Sequence, residues 1–165
     1  GVLLNDIGPE ISLDGLIRIR SYLSNVKIFK CWEEVIENFK IFFPQTDLQS
    51  HEELKNNIKR SYVKKNNNSI VQDWDKNIAK MVDKIDLNKT DLWPLFSSLR
   101  RVPLVVLRGE YSNILTIKSL NKMMINNPNM EAVTIPGVGH APTLLETLSK
   151  DSLYKILDKI DDPKI

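Results

Sequence analysis

Three short apolar runs predict buried strands near the two ends of the chain. They cover residues 2–4, 104–107 and 132–135, and glycine or proline follows each of them within a few positions. Continuous apolar runs of this length are typical of strands that are buried on both faces of a parallel sheet. The runs therefore predict a parallel sheet built from both ends of the sequence.

Residues 12–99 follow a helical pattern instead. Ser12 and Asp47 each precede an amphipathic stretch as a candidate N-cap, and Pro44 predicts the end of the stretch between them. Asp91 precedes a short helix over residues 92–99, in whose first turn Pro94 is tolerated. The apolar stripes are Leu16, Ile19 and Leu23; Trp32, Val35, Ile36, Phe39 and Phe43; Leu54, Ile58 and Tyr62; and Ile78, Met81, Val82 and Ile85.

Helical spacing returns around the last apolar run. Ile117, Leu120 and Met124 share one face of a helix predicted for residues 116–126, and residues 142–160 predict a closing helix or two. After residue 101 the order is thus strand, helix, strand, helix. This order is the signature of a parallel sheet covered by helices, that is, of the α/β class.

Polar side chains follow each predicted strand. Asp6 comes after the first strand, Glu110 and Asn113 come after the second, and His140 comes after the third. Functional groups of parallel sheets lie at the carboxyl ends of the strands. We therefore expect these four side chains at one edge of the sheet.

Composition narrows the function classes. The chain has 165 residues, 42% of them hydrophobic and 27% charged, which predicts one or at most two small domains. Its 23 basic and 21 acidic residues give a net charge of +2, and they are scattered, so neither nucleic acid nor a membrane surface is an expected partner. The single cysteine, Cys31, and two distant histidines give no disulfide and no metal-ligand spacing.

Other signals are also missing from the sequence. No glycine-rich nucleotide loop occurs, so we expect no cofactor. No signal peptide or apolar stretch of membrane-spanning length occurs, so the expected location is cytoplasmic. His51 is expected to be a surface residue of a helix in the central region.

Four motifs occur in order along nearly the whole chain. They are Leu4-Asn-Asp-Ile-Gly-Pro-Glu-Ile with Gly15-Leu-Ile-Arg-Ile-Arg-Ser-Tyr22, then Trp93-Pro-Leu-Phe, then Pro103-Leu-Val-Val-Leu-Arg-Gly-Glu-Tyr-Ser-Asn-Ile-Leu115, and Pro136-Gly-Val-Gly-His-Ala-Pro-Thr-Leu144. Together they resemble the C-terminal half of a bacterial esterase-like α/β-hydrolase. The resemblance implies a partial α/β-hydrolase fold, with about three parallel strands, flanking helices and an inserted helical cap. It assigns residues 1–9 to the sixth core strand and its turn, 10–100 to the cap, and 101–165 to the last core strands and helices.

The resemblance also implies roles at the sheet edge. His140 is the expected general base, with a solvent-exposed loop histidine as the simpler alternative. The family usually has aspartate at the position of Asn113, where the carboxylate fixes the histidine tautomer and stabilises the imidazolium. Because an amide supplies no charge, Asp6 is an alternative acid, and Glu110 is a weaker one. From sequence alone, the preferred interpretation of Asp6 is a carboxylate that caps its own turn.

The family presents its nucleophile on a Gly-x-Ser-x-Gly elbow, and the 165 residues contain no such motif. Ser97, Ser98 and Ser112 lie in other contexts. We therefore expect one product of a split or degraded hydrolase gene, or a shortened protein, that is inactive alone. It would pair with an N-terminal hydrolase half, or with itself, through residues 2–4. The complete enzyme would hydrolyse a small apolar ester-like substrate.

Two other functions fit the sequence. One is a non-catalytic remnant of a hydrolase. The other is a binding or interaction module whose helical cap lines an apolar pocket with aromatic side chains, although the same side chains at helical spacing are more simply the core of the cap. These aromatic residues are Trp32, Phe39, Phe42, Phe43 and Trp93.

Overall fold

The computed structural model describes residues 1–43, 50–75, 77–78, 80 and 91–161. The chain divides into two compact units, the first comprising Gly1–Gly15 and Asp86–Ile165 and the second comprising Leu16–Ile85. The second unit covers a shorter range of the sequence than the cap predicted for residues 10–100. The reason is that Trp93 and Phe96 pack in the same apolar cluster as the sheet of the first unit.

The strands of the described residues, in chain order, are β1 (Val2–Asn5), β2 (Ile28–Phe29), β3 (Tyr62–Lys64), β4 (Ile70–Gln72), β5 (Leu104–Gly109) and β6 (Glu131–Ile135). The helices are α1 (Leu13–Ser24), α2 (Trp32–Phe42), α3 (His51–Ile58), α4 (Trp93–Ser98), α5 (Ile117–Asn126) and α6 (Thr147–Asp161), with a short 3₁₀ helix (Leu99–Arg101) after α4. None of the helices in this part of the chain has the length and hydropathy of a membrane span.

The first unit is built on a parallel sheet, as the apolar runs predicted, and the order of its strands is β1-β5-β6. All residues of the central strand β5 are buried, which explains why its residues 104–107 are apolar without alternation. The register places Asn5 opposite Leu107 and Gly109 opposite Ile135. The carboxyl ends of the three strands therefore lie at one edge.

Helices cover both faces of this sheet. Successive side chains of a strand point to opposite faces. Val106 accordingly packs with Phe96 and Met123 from α4 and α5, whereas Leu107 packs with Ile156 of α6. Thr116 caps α5 by accepting a hydrogen bond from Ser119 N, so the predicted start of this helix is confirmed.

The second unit contains a sheet that the helical pattern did not predict. Strands β2, β4 and β3 form an antiparallel sheet in that order. Tyr62, which was predicted to lie on a helix, instead pairs with Gln72 in the β3–β4 hairpin. The asparagine run forms the hairpin turn, where Asn68 has a φ of 64° and Lys65 N donates to Ser69 O at 2.8 Å. Strands of two or three residues are too short for their period to be recognised in the sequence.

Helix α3 begins later than the sequence predicted. Ser50 and Glu53 form a capping box at its start, because each side chain accepts a hydrogen bond from the backbone N–H of the other. His51 is exposed on this helix, as expected. The other signals predicted for this region lie outside the described residues, namely Pro44, Asp47, Met81, Val82 and Ile85.

The aromatic residues of the second unit form its core. The ring centroid of Tyr22 lies 5.8 Å from that of Phe39 and 4.9 Å from that of Phe43. Its hydroxyl lies 3.1 Å from the hydroxyl of Tyr62, and burial raises the pKa of Tyr22, so the phenol stays protonated. Core packing therefore accounts for these rings.

Candidate active site

Asp6 is fully buried at the carboxyl edge of the parallel sheet. It follows β1 directly, and its backbone N–H still donates to Leu107 O at 2.8 Å. Its φ of 59° lies in the left-handed region, which aspartate tolerates better than most residues. The chain thus leaves the sheet at Asp6.

The carboxylate of Asp6 has two hydrogen-bond partners. Oδ1 accepts from Gly109 N at 3.1 Å, and Oδ2 lies 2.8 Å from His140 Nδ1. A carboxylate only accepts hydrogen bonds, so Nδ1 carries the hydrogen, and Nε2 is the acceptor nitrogen of the neutral imidazole. The pair thereby fixes both the tautomer and the orientation of the ring.

The loop that carries His140 packs tightly on the end of β5. Tyr111 N donates to Val138 O at 2.9 Å. A side chain at Gly109 would collide with the carbonyl oxygen of Gly139 and lie 2.7 Å from that of Val138. Glycine at position 109 is therefore a condition for this close approach.

The imidazole of His140 is only partly buried. Its side chain is 23% exposed, in contrast to Asp6, which has no exposed surface. Within the part of the chain that the structure describes, the hydrogen bond to Asp6 is the one that the ring makes. The acceptor nitrogen Nε2 is therefore free to meet a proton donor.

Relatives of known structure share this architecture. An α/β-hydrolase from Novosphingobium aromaticivorans superposes with a TM-score of 0.82 and 34% identity, over 95% of this chain and 56% of that one. The chain resembles half of an α/β-hydrolase. E-2-(acetamidomethylene)succinate hydrolase aligns with a TM-score of 0.69 over 98% of this chain and 57% of that one, and at 18% identity it shows the fold alone.

The 3-hydroxybutyrate-oligomer hydrolase of Cupriavidus necator is 26% identical, over 88% of this chain and 52% of that protein. No protein-family model matches. The chain thus spans about half the length of the relatives it matches. The predicted α/β-hydrolase fold and the resemblance to part of an esterase-like hydrolase are confirmed.

The three acid candidates of this hydrolase-like chain have different contacts in the structure. Asp6 contacts His140, whereas Glu110 Oε2 accepts from Gly137 N at 2.8 Å. Among the described residues, the side chain of Asn113 makes no hydrogen bond to His140, and the backbone carbonyl oxygen of Asn113 lies against Gly15. The position at which the family usually has its acid is therefore not the one that pairs with the histidine here.

Arg108 and Ser112 shape the loop after β5, and sequence reasoning missed both. Buried Arg108 donates from Nε to Leu115 O at 2.9 Å and from Nη1 to Glu110 O at 3.1 Å. Ser112 Oγ accepts from Ile114 N at 3.1 Å and from Leu115 N at 3.2 Å. An arginine inside an apolar strand was the signal that could have found the first of them, because a buried cation needs dedicated partners.

The segment after His140 is anchored as well. Asn5 Nδ2 donates to Pro142 O at 2.9 Å. Glu146 Oε1 accepts from both the N and the Oγ1 of Thr143 at 2.8 Å. Burial raises the pKa of Glu146, but the hydrogen bonds from Thr143 and Ser149 outweigh it and hold the pKa below its usual value. An ionised Glu146 thus fixes the turn that leads to α6.

Proposed function

We propose that this chain supplies the acid and the base of an ester-hydrolysing site, and that the nucleophile comes from a segment outside the 165 residues. The observation that carries the proposal is the 2.8 Å contact between Asp6 Oδ2 and His140 Nδ1 at the sheet edge. A buried carboxylate in this position holds the imidazole in the productive tautomer and stabilises the imidazolium. Asp6, rather than Asn113 or Glu110, takes the role of the acid.

In the proposed mechanism, each group has one step. His140 Nε2 removes the proton from the nucleophile hydroxyl as its oxygen attacks the ester carbonyl. The imidazolium then donates that proton to the departing alcohol, and an acyl-enzyme remains. Water, deprotonated by the same nitrogen, releases the acid, and the proton returns to the nucleophile. Asp6 stays ionised throughout.

An ester is the substrate class that we propose. The Cupriavidus relative is named for hydrolysis of 3-hydroxybutyrate oligomers. Oligomers of a hydroxy acid are joined by ester bonds, and ester cleavage is the chemistry for which a histidine-carboxylate pair with a hydroxyl nucleophile is suited. We propose a small apolar ester for the complete enzyme.

Complementation tests this function. The chain is mixed with the portion of the Novosphingobium hydrolase that it does not cover, and hydrolysis of p-nitrophenyl acetate is followed. We expect turnover by the assembled complex, and His140→Gln is expected to lower it on the order of 10³-fold or more. An assembled complex with no turnover, or with turnover that is insensitive to His140→Gln, would contradict the proposal.

We further propose that the partner pairs with the outer edge of β1. Alternate residues of β1, beginning with Val2, donate hydrogen bonds towards β5, so the N–H of Leu3 faces away from it. An exposed strand edge is a template for another strand. An apolar cavity of about 120 Å³ lies beside this edge, between Leu4 and Phe96, and the same partner would cover it.

Replacing Leu3 by proline is expected to weaken this association. Proline removes the N–H that faces the outer edge, and the loss of one intermolecular hydrogen bond corresponds to about tenfold in the dissociation constant. Leu3→Ala is the matched control, because it removes the same packing on the sheet face and keeps the N–H. Sedimentation equilibrium with the same hydrolase portion measures both constants. Equal weakening by the two variants would show that the edge is not the contact.

A further inference from the structure

Asn5 lies at the end of β1, next to Asp6. Its Nδ2 donates to Pro142 O at 2.9 Å, across 137 positions of the sequence. Two consecutive residues of one strand end thus hold the same loop, since Asp6 binds the ring of His140 and Asn5 binds the backbone two residues later. We propose that Asn5 is a positioning residue that fixes the His140 ring for proton transfer, an inference that rests on the proposed function.

The orientation of the Asn5 amide is dictated by its partner. Pro142 O only accepts hydrogen bonds, so the nitrogen of the amide faces it and the oxygen faces the other way. That oxygen, Oδ1, is buried and has no hydrogen-bond partner in the described part of the chain. An unpaired buried acceptor lowers stability, so stability by itself favours an apolar residue at this position. The contribution of the amide is therefore its hold on Pro142.

The contact between Asn5 and Pro142 lies on the C-terminal side of His140, where it holds the backbone close to the ring. The loop anchors that precede His140 are the hydrogen bonds from Tyr111 N to Val138 O and from Gly137 N to Glu110 Oε2. Pro142 is the first backbone group after His140 that the strand end holds. The next contact with the sheet after Pro142 is the packing of Leu144 in the cluster of Leu107 and Ile135, so without Asn5 the backbone next to His140 would lose its nearest anchor on the C-terminal side.

The experiment is the exchange of the His140 Nδ1 proton with water, followed by NMR on the full chain. The chain has two histidines, so His140→Gln identifies the signal. Asn5→Ala is expected to accelerate the exchange about tenfold, because one net hydrogen bond no longer holds the closed loop. Asn5→Asp keeps the size and replaces the donor by an acceptor that faces Pro142 O, so it is expected to accelerate exchange at least as much.

Asn127→Ala is the matched control. Asn127 is an asparagine at the end of α5 that is just 1% exposed, and its Oδ1 likewise has no partner among the described residues. If the loss of any buried amide accelerated the exchange of the His140 proton, Asn127→Ala would therefore accelerate it as much as Asn5→Ala. We expect Asn127→Ala to leave the exchange of the His140 proton unchanged relative to the starting protein.

The outcomes distinguish a residue that positions His140 from one that only stabilises the fold. Unchanged exchange in both Asn5 variants, or equal acceleration by Asn127→Ala, overturns the positioning role. Exchange is compared at equal folded fraction, which circular dichroism measures. If Asn5→Ala is too destabilised for this comparison, Asn5→Asp is used in its place.

In the complemented enzyme, Asn5→Ala is expected to lower kcat about tenfold and to leave KM unchanged. If complementation gives no hydrolysis while the exchange result holds, the proposed function fails and the hold of Asn5 on the His140 loop stands.

Discussion

Replacing Asp6 by asparagine is expected to lower ester turnover of the complemented enzyme on the order of 10³- to 10⁴-fold. The variant removes the negative charge that lies 2.8 Å from His140 Nδ1. The amide has one acceptor oxygen where the carboxylate serves two donors, the imidazole and Gly109 N. The N–H of the new amide then faces one of these two donors. If it faces His140, it favours the wrong tautomer of the imidazole or turns the ring away.

Asn113→Asp is the control that separates the two acid positions. It restores the residue that the family usually has, but among the described residues the Asn113 side chain has no hydrogen bond to His140. We expect turnover within about threefold of the starting protein. The double variant Asp6→Asn with Asn113→Asp is expected to stay as inactive as Asp6→Asn alone. Recovery of turnover in the double variant would show that residue 113 is the working acid position.

The parallel sheet was predictable because its strands carry their signal locally. All of β5 is buried, and its residues 104–107 form an uninterrupted apolar run. The bounds of the helix over residues 117–126 were predictable as well, but of its predicted stripe only Leu120 is buried, since Ile117 and Met124 are exposed. The antiparallel sheet of the second unit was missed for the opposite reason. Strand β2 has two residues and strand β3 has three, and a period cannot be read from so few positions.

The pairing of Asp6 with His140 lies beyond what local sequence carries. The two residues are 134 positions apart, and their contact depends on the register of β1 and β6 against β5 and on the path of one loop. The sequence placed both at the same edge, yet the preferred interpretation of Asp6 was a turn cap. Its side chain instead reaches across to the next strand end, because its left-handed backbone turns the chain there while the carboxylate bonds to Gly109 N.

Gly109→Ala is expected to separate His140 from Asp6 without touching either residue. The new Cβ would collide with Gly139 O and lie 2.7 Å from Val138 O, and both atoms belong to the backbone of the histidine loop. Backbone cannot rotate away as a side chain can, so we expect a loss of about 3 kcal/mol in the free energy of unfolding. The displaced loop should also lower turnover on the order of 10²-fold, since small misplacements of a catalytic group have effects of this size.

Gly137→Ala distinguishes displacement of the loop from general destabilisation. It adds a Cβ to the same loop, but no atom lies within 4 Å of that position. Its cost is the positive φ of 69°, which for alanine amounts to about 1–2 kcal/mol. Urea denaturation measures both losses, and NMR follows the Nδ1 proton of His140. The signal should disappear in Gly109→Ala and persist in Gly137→Ala, because only the first substitution pushes the loop off the end of β5. A persistent signal in both variants would mean that the loop keeps its histidine in place by contacts other than its close approach to Gly109.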